Sequence, residues 1–186
     1  MTTVPIYEAN GNTLTEGSTG VRLVPITTGG VLSENTSQVY AIKNPLAFIY
    51  NTVSPWDWYT NTGNHDDVLW GDGNVKSEYD PCPHGWKVPT NSELTYGDFS
   101  TFTMTASGSG TNVANGRIYN NIAWFPAAGY RYGVSGVLNV VGNSGYYWSA
   151  SVSDTYAKYL RIFMSNVYPN YTSNRAYSFS VRCVQE

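Results

Sequence analysis

The hexapeptide Tyr159-Leu160-Arg161-Ile162-Phe163-Met164 alternates between two kinds of side chain without a break. That period belongs to a β-strand, whose successive side chains point to opposite faces. Leu160, Ile162 and Met164 then form an ordinary core face, while Tyr159, Arg161 and Phe163 are turned together toward water. The same mixture continues through Tyr168, Tyr171 and Tyr177, set among Asn, Ser and Thr. Rigid aromatics bring contact area at low entropic cost, and small polar residues between them supply adaptable hydrogen bonds, the composition of antibody paratopes. The competing reading is that this face packs under another layer of the same domain, because Tyr and Phe are commonly part-buried.

Composition narrows the class. A chain of 186 residues fits one domain, with room for an arm, and can bury a sizeable core without staples. Charged residues make up 12% and aromatics 15%, with 18 Gly and 9 Pro, which describes a turn-rich globular protein with few long helices. The net charge is -3 and no run of Lys or Arg occurs, so nucleic acid is not an expected partner. No stretch approaches the roughly 20 apolar residues that span a bilayer, so no membrane insertion is expected. Met1-Thr2-Thr3-Val4-Pro5 is not a signal peptide, so an export signal is expected either to have been removed or to be of another kind. Cys82 and Cys183 are too few for a disulfide scaffold and lack metal-site spacing; they could pair, or remain two buried thiols.

Residues 1–35 are Thr- and Gly-rich, with Val21–Ile26 as the strong strand candidate, and read as an arm or first strand docking on the domain of residues 36–186. The apolar run Tyr40–Tyr50 is cut by Asn44-Pro45, which limits it to a short edge strand or turn. Ser54–Asn74, rich in Trp, Asp and Gly, reads as a long loop pinned by tryptophans. Thr90-Asn91-Ser92-Glu93 is a capping box that predicts a short helix. Residues 100–115 read as a loop or ragged hairpin. Short strands are expected over 118–128, 136–141, 145–151, 159–164 and 177–184.

Chemistry is hard to place. The two histidines, His65 and His84, sit in turn-like contexts, so neither is expected to be a catalytic base. Asp57, Asp66, Asp67, Asp72 and Asp80, with Asn61, Asn64 and Asn74, could offer oxygens to calcium, but long loops are made of Asp and Asn anyway and no EF-hand loop is present. Ser107–Thr111 lacks the ending of a phosphate-binding loop. No cofactor or metal is therefore expected.

One word stands out: Tyr79-Asp80-Pro81-Cys82-Pro83-His84-Gly85-Trp86-Lys87-Val88-Pro89-Thr90. It resembles the DPCPxGWxVPT signature of a large family of bacterial surface proteins with a C-type-lectin-like fold, the major paralogous domain family. Ala41–Pro45 with Phe48, Trp124–Arg131, Gly145–Ser149 and Ser180–Val184 resemble further words of that family in the same order. Within this frame, residues 146–183 resemble the variable region of proteins diversified by retroelements, in which asparagine codons of a template are copied with errors at adenines. The corresponding positions are Tyr156, Tyr159, Arg161, Phe163, Tyr168, Asn170, Tyr171, Thr172, Ser173, Asn174, Tyr177 and Ser178, with Ser151, Ser153 and Asp154 at the margin. Each of these residues is reachable from an asparagine codon through its adenines. Leu160, Val167, Pro169, Arg175, Ala176, Phe179, Val181 and Cys183 resemble the fixed scaffold.

The resemblance implies an α+β, C-type-lectin-like fold of the formylglycine-generating-enzyme subtype, with short strands, one or two short helices and long loops. It implies that Cys82 and Cys183 lie near each other. Both sit in scaffold words, so the cysteine chemistry of that enzyme is not expected here. The implied function is a non-enzymatic, hypervariable binding protein, extracellular, on a cell surface or on a phage particle, whose ligand is an unknown protein or glycan. The alternatives are a structural adhesin or pilus-tip domain docking a neighbouring subunit through its aromatic face, and a hydrolase working at Asp66 and Asp72 with His65 as base.

Overall fold

The computed structural model describes residues 21–71, 75–90, 115–163 and 165–186. The helix expected from Thr90–Glu93, the loop of residues 100–114, the first 20 residues, and Asp72, Asn74 and Met164 lie wholly or largely outside that description. β1 (Arg22–Pro25) runs parallel to β2 (Ala47–Tyr50), with the helix α1 (Gln38–Lys43) in the crossover. β3 (Trp86–Lys87) precedes a hairpin of β4 (Gly116–Tyr119) and β5 (Ala123–Pro126), and then a smaller one of β6 (Tyr130–Arg131) and β7 (Leu138–Asn139). β8 (Ser144–Ser153), β9 (Tyr156–Phe163) and β10 (Val167–Ser173) make an antiparallel sheet in the order β10-β9-β8. β11 (Val184–Gln185) returns to pair with β3.

This corrects the α+β expectation. The described residues are 41% strand and 4% helix, with no helix of 7 or more residues, arranged as small separate sheets. They form a mostly β structure, and the expected C-type-lectin-like class is not what the elements describe. The physical reason is visible in the spacing of Gly, Asn and Pro, which interrupts every apolar run before a helix nucleus can lengthen enough to become favourable. Where a helix does form, Asn44-Pro45 stops it; Tyr40–Lys43 is thus helical, not an edge strand. The expected strand of residues 118–128 is a hairpin instead, because Asn120 and Asn121 take φ of 46° and 58° and turn the chain. Of residues 136–141 only Leu138–Asn139 is strand, and residues 177–184 contribute isolated bridges at Ser178 and Ser180 before β11.

Three apolar clusters hold these pieces. Val24, Ile26, Val31 and Ile49 pack beneath β1 and β2, with Trp58 of the long loop against them. Phe125, Tyr147, Leu160 and Ile162 fill the space between the hairpin β4–β5 and one face of the three-stranded sheet. There Tyr147 is buried whole, its hydroxyl donating to the carbonyl of Pro126 at 2.5 Å. Tyr146, Trp148, Tyr159 and Phe179 form the third cluster on the opposite face.

The segment around residue 80 is a structural knot. Buried Asp80 accepts from the amide of Cys82 at 2.7 Å and from that of Val88 at 2.9 Å, so one carboxylate fixes both ends of the turn. The Lys76 ammonium donates to the carbonyls of Cys82, Pro83 and Trp86 from within the same turn. Cys82 is disulfide-bonded to Cys183, which ties this turn to the C-terminal segment beside the β3–β11 pair.

Candidate functional site

Register builds the face. Residues directly opposite one another in an antiparallel ladder project to the same side. Trp148, Tyr159 and Tyr171 are opposed across β8, β9 and β10, and form one rung. Tyr146, Arg161 and Tyr168 form the next, with Phe163 beyond it. The rings touch along and between the rungs: Trp148 to Tyr159 at 5.9 Å, Tyr159 to Tyr171 at 6.0 Å, Tyr168 to Tyr171 at 4.9 Å and Phe163 to Tyr168 at 5.5 Å between centroids. Leu160, Ile162 and Val167 go to the reverse side, as the alternation requires.

The face is deep at β8 and shallow at β10. The chain around Ser180 runs beside β8, with Trp148 N–H donating to Ser180 and Ser180 N–H to Tyr146. This lays Phe179 onto the rings of Trp148, Tyr159 and Tyr146 at 4.2, 4.7 and 5.1 Å. Tyr159 is consequently only 6% exposed, whereas Tyr171 on the edge strand is 42% exposed. The expectation that Tyr159 meets water is corrected: its side chain belongs to the non-core face of β9, but a later segment of the chain covers it. It forms the floor of the face and Arg161, Phe163, Tyr168 and Tyr171 form its rim.

The remaining candidate positions surround this rim unevenly. Asn170 is exposed at a bulge between Tyr168 and Tyr171, where Pro169 and Asn170 together oppose one residue of β9. Ser173 lies opposite Ala157 on the aromatic side, and Thr172 opposite Lys158 on the other. Ser151, Ser153, Asp154 and Tyr156 gather at the β8–β9 hairpin end, away from the aromatic rungs, with Asp154 at a φ of 54° in the turn. Asn174 and Ser178 are half-buried in the connection to the C-terminus. Tyr177 joins the face from its far side, its ring 5.4 Å from Tyr130 and 5.3 Å from Tyr132. Those two tyrosines and Tyr146 are members of the surface that the sequence reading did not single out. The signal available was Tyr130-Arg131-Tyr132, a strand word with aromatics two apart.

Burial pushes the phenols of Tyr159 and Tyr177 up to about 12, and that of Tyr130 upward, so all three are neutral hydrogen-bonding groups at physiological pH. The acidic loop is organised differently. Asp57 is buried, with one oxygen accepting from the amide of Tyr59 at 2.8 Å and the other without a partner, 4.0 Å from an equally unpartnered Nδ1 of His65. Burial raises the Asp57 carboxyl above its ordinary value. His65 Nε2 is 3.6 Å from Asp67, which in turn accepts from Arg175 at 2.5 Å. Arg175 also donates to the carbonyls of Asp154 and Thr155, so it fastens the acidic loop to the β8–β9 hairpin. Among the described residues no group of three or more His, Cys, Asp and Glu side chains is placed to hold a metal ion. His84 is exposed.

Neither a family model, a curated protein nor a solved structure matches the chain.

Proposed function

We propose that the chain is a non-enzymatic binding protein of the retroelement-diversified kind, in which the β9–β10 rim and its surroundings contact a ligand. The observation that carries this reading is the division of residues 151–183 by exposure. Of the candidate variable positions only Tyr159 is buried, and Ser153, Asp154, Tyr156, Asn170, Tyr171 and Thr172 are exposed; of the positions assigned to the fixed scaffold, Leu160, Ala176 and Phe179 are buried, and Val167, Pro169, Arg175, Val181 and Cys183 are half-buried. A protein that must exchange contact residues without unfolding needs that division, because substitutions away from core, caps and strained turns shift stability by within about half a kcal/mol. Phe163, Tyr168, Tyr171 and Tyr177 act as anchors, and Asn170, Thr172, Ser173 and Asn174 as polar adapters. A cell-surface, secreted or phage-borne setting is supported by the Cys82–Cys183 bridge, which persists in oxidising compartments.

Sequencing the DNA flanking the coding region tests the class directly. The expected result is a near-copy of the last quarter of the coding sequence, differing at adenines of the template, beside a reverse transcriptase gene. A locus with neither would remove the diversification and leave only a chain with an aromatic face.

A further inference from the structure

Arg161 occupies the middle of its rung, between Tyr146 and Tyr168. Its guanidinium carbon lies 4.7 Å from the Phe163 ring centroid and 5.5 Å from that of Tyr146. Nε is buried without a hydrogen-bond partner, and among the described residues no carboxylate or carbonyl takes the terminal nitrogens, which are not buried. The other arginines differ in that each uses a terminal nitrogen. Arg22 donates to Tyr40 and Asn44, Arg117 to Phe163, Arg131 to Gly136, Arg175 to Asp67 and Arg182 to Trp124. A buried, unpartnered donor on a charged group is destabilising, and more so than on a neutral one. Here the cost is left in place on a residue whose other contacts are with the rings of Phe163 and Tyr146.

Among the described residues no carboxylate pairs with Arg161. Tyr130 and Tyr159, the phenols nearest in electrostatic terms, keep their protons. Asp154, at the hairpin end, lies seven residues down the strand, on the order of 20 Å at about 3.3 Å per residue. That exceeds the roughly 8 Å screening length of physiological salt. Between aromatic faces a guanidinium is partly withdrawn from water, so an anion reaching it interacts more strongly than it would at an open surface.

We infer that Arg161 is the recognition point for a carboxylate of a partner protein, an Asp or Glu side chain that enters beside Phe163 and Tyr168 and takes the guanidinium in a two-bond fork. The inference rests on the reading of this face as a binding surface, and names the chemistry that it selects. A planar carboxylate matches a guanidinium laid between rings, with its terminal nitrogens outward. The neighbouring rings are inclined to one another by 34° for Phe163 and Tyr168, 69° for Tyr168 and Tyr171 and 60° for Tyr159 and Tyr171. They make a ridged surface of inclined rings, into which a side chain can enter.

The test is to select a phage-displayed random dodecapeptide library against the whole chain and against Arg161→Glu, with a sialylated and sulfated glycan array probed in parallel. Peptides taken by the parent should be enriched in Asp or Glu at one position. They should bind Arg161→Gln at least tenfold more weakly and Arg161→Lys at an intermediate level, while Arg161→Glu should select Lys or Arg. Arg161→Lys keeps the comparison informative if the acidic variant does not fold. Peptides without acidic enrichment, whose binding still falls on Tyr171→Ala, would overturn the carboxylate inference and spare the face. Binding indifferent to both Arg161 and Tyr171, or neither a selected peptide nor a captured glycan, would remove both. Arg161-dependent capture of acidic glycans without peptides would contradict the protein partner.

Discussion

Asp57 and Tyr159 are the residues at which burial decides behaviour. The Asp57 carboxyl is raised chiefly by desolvation, against smaller attractions from Tyr59, Arg175 and His65. An acid whose folded-state value is raised contributes stability that is fully present below its unfolded value of 3.8 and is lost as pH rises through the folded value. Asp57→Asn keeps the bond from Tyr59 and turns an amide toward unpartnered His65 Nδ1. It should therefore raise stability by about 1 kcal/mol at pH 7 to 8, and the gain in thermal melting should fade as pH falls toward 4. A loss at neutral pH would show instead that Asp57 is held ionised by His65. For Tyr159→Ala, removal of a buried ring should cost about 3 kcal/mol or more, while Tyr171→Ala should stay under about 1 kcal/mol; denaturant melts of the two separate floor from rim. The faces of these residues were legible from alternation alone. The depth of Tyr159 was not, because the cover comes from Phe179, twenty positions later in the chain, and period-2 reading sees only one strand at a time.

Among the elements, the edge strand β10 and the turn at residues 80–90 show where local sequence rules succeed and fail. Val167–Ser173 is not among the expected strands, and Pro169-Asn170 interrupts it. The interruption is accommodated by the bulge, at an edge where the missing proline donor leaves no ladder bond unmade inside the sheet. The hairpin at Asn120-Asn121 and the helix ended by Asn44-Pro45 were misjudged in extent for the same reason, since turn residues mark a break without stating what flanks it. The nearness of Cys82 and Cys183, by contrast, was expected from the resemblance and not from spacing, and their bridge was left open. Cys82 and Cys183 are 101 residues apart in sequence, and β3 and β11 pair over only two residues each. Closing a loop of that length contributes about 4 to 5 kcal/mol in the chain-entropy model. Cys82→Ser with Cys183→Ser should thus lower the melting temperature by roughly 10 °C or more, and a shift under about 3 °C would show that the β3–β11 pairing holds without the bridge.

At the scale of the whole molecule, small sheets and long loops converge on a sheet that is packed on one face by Phe125 and its neighbours and half-covered on the other by Phe179. The overall class was the least legible feature. Short words such as Asp80–Thr90 fix turns and strand ends, yet the balance of helix and strand depends on the segments between them. What the arrangement does provide is a buried floor beneath a more accessible rim. Phe163→Ala, Tyr168→Ala and Tyr171→Ala together should abolish capture of any selected ligand while moving the melting temperature by only a few degrees, as read by binding and calorimetry on the same preparation. The most direct test of the central claim displays two libraries of the chain on yeast and measures the fraction of members that resist protease. One library randomises Phe163, Tyr168, Asn170, Tyr171 and Thr172, and the other Tyr147, Leu160, Ile162 and Phe179. The account predicts that most of the first library folds like the parent and almost none of the second does; equal survival of the two would contradict it.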